Sequence, residues 1–383
     1  MSDLVQPFRL AIEESQLDDL RRRLRASRLP DAETTPGWAQ GVPRDQMERL
    51  RDHWLHHYDW RRIEAELNAL GQYRTVIDGV GIHFLHIRSP EPDALPLLLT
   101  HGWPGSILEF LKVIGPLTDP AAHGGDRRDA FHLVIPSIPG YGFSDRPREP
   151  GWTIERVAAA WVELMARLGY DRFLAQGGDW GAMITHLLGA NHPGQVQAIH
   201  LNMALAHPTE EERAVLTPKE RESLVAFDYH RQFGRGYSEV HRTRPQTIGY
   251  ALADSPLGQA AWIYEKFREW SDCDGDPLNS FTMDELLDSS MIYWLPNSGA
   301  SSARLYWNSV ARPPSGAVAV PIGASVFPRE IFRSSERWMR RMYPTLNYWN
   351  EPERGGHFAA FEVPDLFVEE VRACFRLQRR SDF

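Results

Sequence analysis

Apolar residues recur along this chain with two alternating periods. Near the N-terminus Leu17, Leu20 and Leu24 fall three and four residues apart, which predicts an amphipathic helix capped by Ser15 and ended before Pro30. A second helical stretch begins near Pro43 and carries Leu50 and Trp54. A third begins at Asp59, sets Ile63, Leu67 and Leu70 on one face, and stops at Gly71. The period then drops to two. YRTVIDGVGIHFLHI alternates about Asp78-Gly79, a pair suited to the positive φ angles of a two-residue hairpin.

From Leu95 short apolar runs take over: LPLLLT, FHLVIPS, RFLAQ, VQAIHL and GAVAVPIG. Uninterrupted runs of this length predict strands of a parallel sheet covered on both faces. Helical segments separate them, such as TIERVAAAWVELMARLG with Val157, Trp161, Leu164 and Leu168 on one side. The expected fold class is α/β, with a mostly parallel, doubly wound sheet. Residues 205–310 break the rhythm with helix-like, aromatic-rich sequence, and strands are expected again only from Ala317. The predicted division is a helical N-terminal arm with the first strands over 1–90, core over 91–204, a helical lid over 205–310, and core again over 311–383.

Composition and charge narrow the function. With 42% hydrophobic and 24% charged residues over 383 positions, the chain reads as a globular protein. A net charge of −9 argues against a nucleic-acid surface. The one dense basic run, Arg21 to Arg25, follows acids on the first helix and reads as a solvated, paired face. Cys273 and Cys374 form neither a disulfide framework nor a zinc pattern. No signal peptide or long apolar run is present in the sequence. These features predict a cytoplasmic protein without a membrane anchor; a homodimer is left open.

The candidate chemistry begins at AQGGDWGAMITH. Gly177, Asp179 and Gly181 have the spacing of a nucleophile elbow, in which a strand turns sharply into a helix and presents the central side chain. HGWPGS, residues 101–106, follows a strand where α/β-hydrolases place an oxyanion loop, so the backbone N–H groups of Trp103 and Trp180 are the expected oxyanion donors. His357, preceded by two glycines in RGGHFAAFE, lies late in the chain as the order nucleophile, acid, histidine requires. The acid should follow the last apolar run. Glu330 in FPRE fits, with Glu336, Glu351 and Glu353 as competitors. His53, His56 and His57 have helical spacing but lack the glutamate of a zinc motif, so no metal is expected there.

An aspartate in this position selects the electrophile. A serine alkylated at saturated carbon would become an ether that water does not release, whereas a carboxylate forms an alkyl ester that water cleaves. Epoxides and alkyl halides are the two substrate classes that fit.

With PGYGFSD at 139–145 added to these motifs, nearly the whole chain resembles the epoxide hydrolases of the microsomal and juvenile-hormone type, within the α/β-hydrolase superfamily. The resemblance implies the α/β-hydrolase fold, conversion of an epoxide to a vicinal diol, and no metal or organic cofactor. It also implies two lid tyrosines as proton donors, matched here by Tyr237 and Tyr306. By sequence alone Tyr250, Tyr264 and Tyr293 are rivals. Trp103 and Trp180 near the nucleophile, with Trp262, Trp270 and Trp294, favour an apolar aryl or alkyl substrate. The alternatives are a haloalkane dehalogenase, which would use tryptophan N–H groups to hold a halide, and a non-catalytic sensor of a small ligand on the same fold.

Overall fold

The computed structural model describes residues 4–309 and 317–379. Its frame is one nine-stranded sheet: β1 (Gln6–Pro7), β2 (Gln72–Ile77), β3 (Val80–Ile87), β4 (Leu95–Thr100), β5 (Phe131–Pro136), β6 (Phe173–Gly177), β7 (Val196–Leu201), β8 (Ile322–Ser325) and β9 (Leu346–Asn350). The spatial order is β1-β2-β3-β5-β4-β6-β7-β8-β9. Pairings up to β3–β5 are antiparallel, and every pairing from β5 to β9 is parallel. Asp78 and Gly79 both have positive φ, 48° and 77°, so the hairpin closes as its sequence predicts. The apolar runs of β4 and β6 are buried beneath helices that pack in pairs, Ile154–Arg167 on Asp179–Asn191 and Leu111–Thr118 on Pro364–Arg379.

Two local expectations are corrected. The first helix is Glu14–Arg25, with Glu13 at the N-cap and no side-chain cap, so Ser15 lies inside its first turn. Tertiary bonds set this start: Leu10 N–H donates to Asn68 and Ile12 N–H to Glu64, at 2.9 and 2.8 Å. The last apolar run is not a strand at Ala317; β8 begins at Ile322, after Pro321. Val318 and Val320 are buried instead against Gly189, where an added Cβ would sit 3.0 Å from each. Gly316 and the expected boundary at 310–311 lie outside the described residues.

Between β7 and β8 the described chain is entirely helix and loop. The N-terminal helices are bonded to this insertion. His53 Nε2 lies 2.6 Å from Asp284, Tyr58 donates to Asp288 at 2.7 Å, Arg62 pairs with Asp288, and Arg23 pairs with Asp254 at 3.0 Å. The basic run is paired as expected: Arg21 with Glu14 and Asp18, Arg22 and Arg23 with Asp19. Both cysteines are buried and free. Among the described residues no helix is long and apolar enough to cross a membrane, and no cluster of three or more His, Cys, Asp or Glu is arranged to hold a metal.

Burial makes the fold sensitive to acid. His83, His200 and His241 are pushed down to about 3, and His86, His101, His186 and His230 to about 4. Each folded value lies below the unfolded one near ~6.5, so the stabilisation is complete above that pH and declines as pH falls through it. Burial acts in the opposite sense on Glu109, Glu362 and Asp288, pushed up to about 8, 7 and 6, and these offset part of the loss. With seven such histidines against three carboxyls, stability is expected to fall as pH drops from 6.5 to 5.5. Urea midpoints followed by circular dichroism across this interval check it; a flat profile refutes it.

Candidate active site

Strands β4 and β6 run side by side with Thr100 opposite Gly177, so the chain segments that leave them meet above the sheet. The turn after β6 presents Asp179 at φ 49°, a left-handed conformation uncommon for any residue but glycine. Two close approaches hold it there. A Cβ on Gly181 would lie 1.9 Å from the Thr100 carbonyl, and one on Gly102 would lie 2.0 Å from Asp179 Oδ1. Trp103 N–H donates to that Oδ1 at 2.8 Å. Trp180 N–H belongs to the first turn of the helix Asp179–Asn191, where N–H groups have no acceptor within the helix. His101 stiffens the neighbouring loop. Its Nε2 accepts from Ile138 N–H at 3.3 Å, leaving Nδ1–H to donate to the Gly102 carbonyl at 2.9 Å, and burial pushes the ring down to about 4, in keeping with this neutral form.

The loops after β8 and β9 supply Glu330 and His357. His357 Nδ1 lies 2.7 Å from Glu330 Oε1, and the same oxygen accepts from Ile331 N–H at 2.8 Å. A carboxylate only accepts, so Nδ1 carries the proton and Nε2 faces Asp179 Oδ2 at 3.3 Å. Burial alone would lower the basicity of this ring, but the Glu330 and Asp179 carboxylates outweigh it and hold the imidazolium well above its ordinary range. The loop is braced from behind. His357 N–H donates to the Trp270 carbonyl at 2.9 Å, and a Cβ on Gly356 would come within 2.5 Å of that oxygen, which explains the glycine before the histidine.

Above Asp179 opens a cavity of about 470 Å³, lined by Trp180, Met183, Phe227, Tyr237, Tyr306 and Phe332 among others. Tyr237 and Tyr306 come from separate helices of the insertion, with ring centroids 5.9 Å apart. Trp103 stacks on Tyr237 at 4.7 Å, and Trp180 meets Tyr306 edge-on at 4.7 Å. Burial first, and the Asp179 charge second for Tyr237, push both hydroxyls far above the usual phenol range, so both are protonated donors at neutral pH. A larger groove of about 1230 Å³ elsewhere is lined by Arg146, Arg148, Arg156 and Arg304 and contains none of these side chains.

Comparison with known proteins decides the family. The chain matches "Epoxide hydrolase N terminus" over residues 5–110 and "alpha/beta hydrolase fold" over residues 96–351. It is 53% identical to a Stigmatella aurantiaca protein bearing a provisional epoxide hydrolase name, over 98% of this chain and 86% of that one. It is 35% identical to Epoxide hydrolase 1 of Oryctolagus cuniculus, over 96% and 88%. The chain belongs to the epoxide hydrolase family. The crystal structure of juvenile hormone epoxide hydrolase from the silkworm Bombyx mori superposes with a TM-score of 0.93 at 30% identity, covering 100% of this chain and 96% of that one.

As an epoxide hydrolase by family, the chain is an enzyme, and the dehalogenase and sensor alternatives fall away. The structure brings Asp179, His357, Glu330, Tyr237, Tyr306 and the Trp103 N–H into one site. The rival acids lie elsewhere: Glu336 pairs with Arg340, Glu351 with Lys219, and Glu353 is exposed. So do the rival tyrosines. Tyr250 is 71% exposed, Tyr264 packs against Trp38, and Tyr293 donates to the Gly105 carbonyl at 2.7 Å. Of the tryptophans, Trp180 faces the cavity, while the Trp103 ring lies beneath Tyr237. Trp262 donates to His241, Trp270 packs on His357, and Trp294 lies under Arg23. Sequence reasoning missed Met183, Phe227, Phe332 and Glu109. Met183 was discoverable, four residues after Asp179 and so on the same helical face; Phe227 carries no local signal.

Proposed function

We propose that this enzyme converts an apolar aryl or alkyl epoxide to a vicinal diol through an alkyl ester on Asp179. The observation that carries the reading is the setting of one carboxylate: one oxygen on a backbone N–H, the other facing a histidine, both beneath two protonated tyrosines. Oδ1 is engaged by Trp103, which leaves Oδ2 to attack an epoxide carbon. As the C–O bond of the ring breaks, Tyr237 or Tyr306 gives the departing oxygen a proton, a contribution of ~10²–10⁴-fold for a well-placed acid. Forming the ester removes the Asp179 charge, one of the two that hold His357 as a cation, so the ring gives up its Nε2 proton, which returns to the tyrosinate left by ring opening, and the neutral imidazole is then free to act as base toward water. Water then attacks the ester carbonyl, and the Trp103 and Trp180 N–H groups receive the oxyanion, each worth ~10²-fold or more.

In this reading residues 1–90 form the arm, 91–204 and 311–383 the catalytic core, and 205–310 the lid that carries both tyrosines. Two free cysteines and the absence of a membrane-spanning helix among the described residues support our placement of the enzyme in the cytoplasm.

A single turnover in heavy-oxygen water tests the ester. The first diol should carry ordinary oxygen drawn from Asp179, with the label appearing in the carboxylate. Stoichiometric label in the first-turnover diol excludes the ester route.

A further inference from the structure

A second, much smaller cavity lies on the other side of Asp179. Its volume is about 20 Å³, room for about one water molecule. It is lined by Gly102, Glu109, Asp179, Asn202, His357 and Ala360 among others. Glu109 stands out because none of the roles described so far uses it. Glu109 is half-buried, and among the described residues no side chain or backbone group is bonded to its carboxyl. The approach is kept open by glycine. A Cβ on Gly105 would lie 2.9 Å from Glu109 Oε2, and one on Gly178 would lie 2.7 Å from the Asn202 amide nitrogen. The loop bearing Gly105 is in turn held from the insertion by the Tyr293 hydroxyl.

We propose that this cavity is the site of the hydrolytic water and that Glu109 is its positioning residue. The idea rests on the ester route above. A water here touches His357 on one side and Asp179 on the other, and a carboxyl C=O of Glu109 accepts its second hydrogen, turning a lone pair toward Asp179 Cγ. The water oxygen bonds to Cγ while its proton passes to His357 Nε2. The tetrahedral centre then collapses, the Cγ–O bond to the substrate breaks, and that oxygen takes the proton back from His357. The second hydrogen of the water, left on the Asp179 carboxyl, passes to the now neutral His357 at 3.3 Å, so diol leaves with the Asp179 carboxylate and the His357 cation both restored. Burial pushes the Glu109 carboxyl up to about 8, opposed by the His357 cation and assisted by the Asp179 charge, so it is neutral at pH 7 and adds no competing anion beside the nucleophile.

The acceptor role separates two substitutions. Glu109→Gln keeps a C=O, whereas Glu109→Leu removes it at similar volume. Stopped-flow tryptophan fluorescence with styrene oxide in excess reports ester formation, since Trp103 and Trp180 adjoin Asp179, and quench-flow of the diol reports its breakdown. Glu109→Leu should slow ester breakdown at least ~30-fold with ester formation changed less than ~3-fold, and Glu109→Gln should restore breakdown to within ~5-fold of the parent. The unchanged first step certifies a folded site. The inference is overturned if Glu109→Leu breaks down ester at the parent rate, if both steps fall together, or if Gln is as slow as Leu. An ester that forms and decays normally in Glu109→Leu refutes only the water site. If the parent enzyme forms no ester, the reading of Asp179 fails with it.

Discussion

Replacing Asp179 with alanine is expected to lower diol formation by at least ~10⁴-fold, the scale seen when a covalent nucleophile is removed. No neighbouring group can take over. Glu330 Oε1 is committed to His357 and Ile331, and Glu109 lies in the small cavity on the far side, away from the tyrosines. Alanine also removes the acceptor for Trp103 N–H and one of the two charges that raise His357, so the histidine of the variant titrates closer to its ordinary value. The measurement is gas chromatography of diol from styrene oxide, with circular dichroism confirming the fold, because alanine at φ 49° carries a cost of its own. Turnover within tenfold of the parent removes aspartate from the mechanism.

Replacing His357 with glutamine divides the reaction. The first half uses Asp179 and the tyrosines, and their placement does not depend on the imidazole proton. The second half needs a base against water. The variant is expected to alkylate within a few-fold of the parent rate and to lose ~10³-fold or more in ester breakdown. Intact-mass spectrometry should then show the chain carrying one substrate mass, and a digest should place it on the peptide containing Asp179. If no adduct accumulates while turnover is lost, His357 acts before the ester rather than after it. Stability should shift little, because glutamine can still donate to Glu330 and the loop keeps its bond to the Trp270 carbonyl.

Features set by a few adjacent residues were legible in the sequence. The Asp78-Gly79 hairpin, the glycines around Asp179 and those before His357 each follow from a backbone demand made within a handful of positions. Features set across the chain were not. The first helix starts where Asn68 and Glu64 bind the segment before it, which Ser15 does not reveal. Val318 and Val320 read as strand because their alternation shows burial without showing that the partner is Gly189 on a helix. Glu330 could be separated from Glu336, Glu351 and Glu353 only by its distance to His357, since all four follow the same apolar run. The tyrosine pair needed the family resemblance, because Tyr237 and Tyr306 meet only after the intervening helices fold back.

The bonds between the N-terminal helices and the insertion bear on how substrate traffic is managed. His53, Tyr58, Arg62 and Arg23 fasten the roof of the cavity at three separate acids, on helices that do not themselves line it. Swinging the roof aside like a hinged door would break all of these contacts in one movement. A gate formed by the side chains of Phe227 and Phe332, whose rings touch at 4.2 Å, breaks none of them. A passage that turns on those two rings runs on the clock of side-chain motion rather than domain motion.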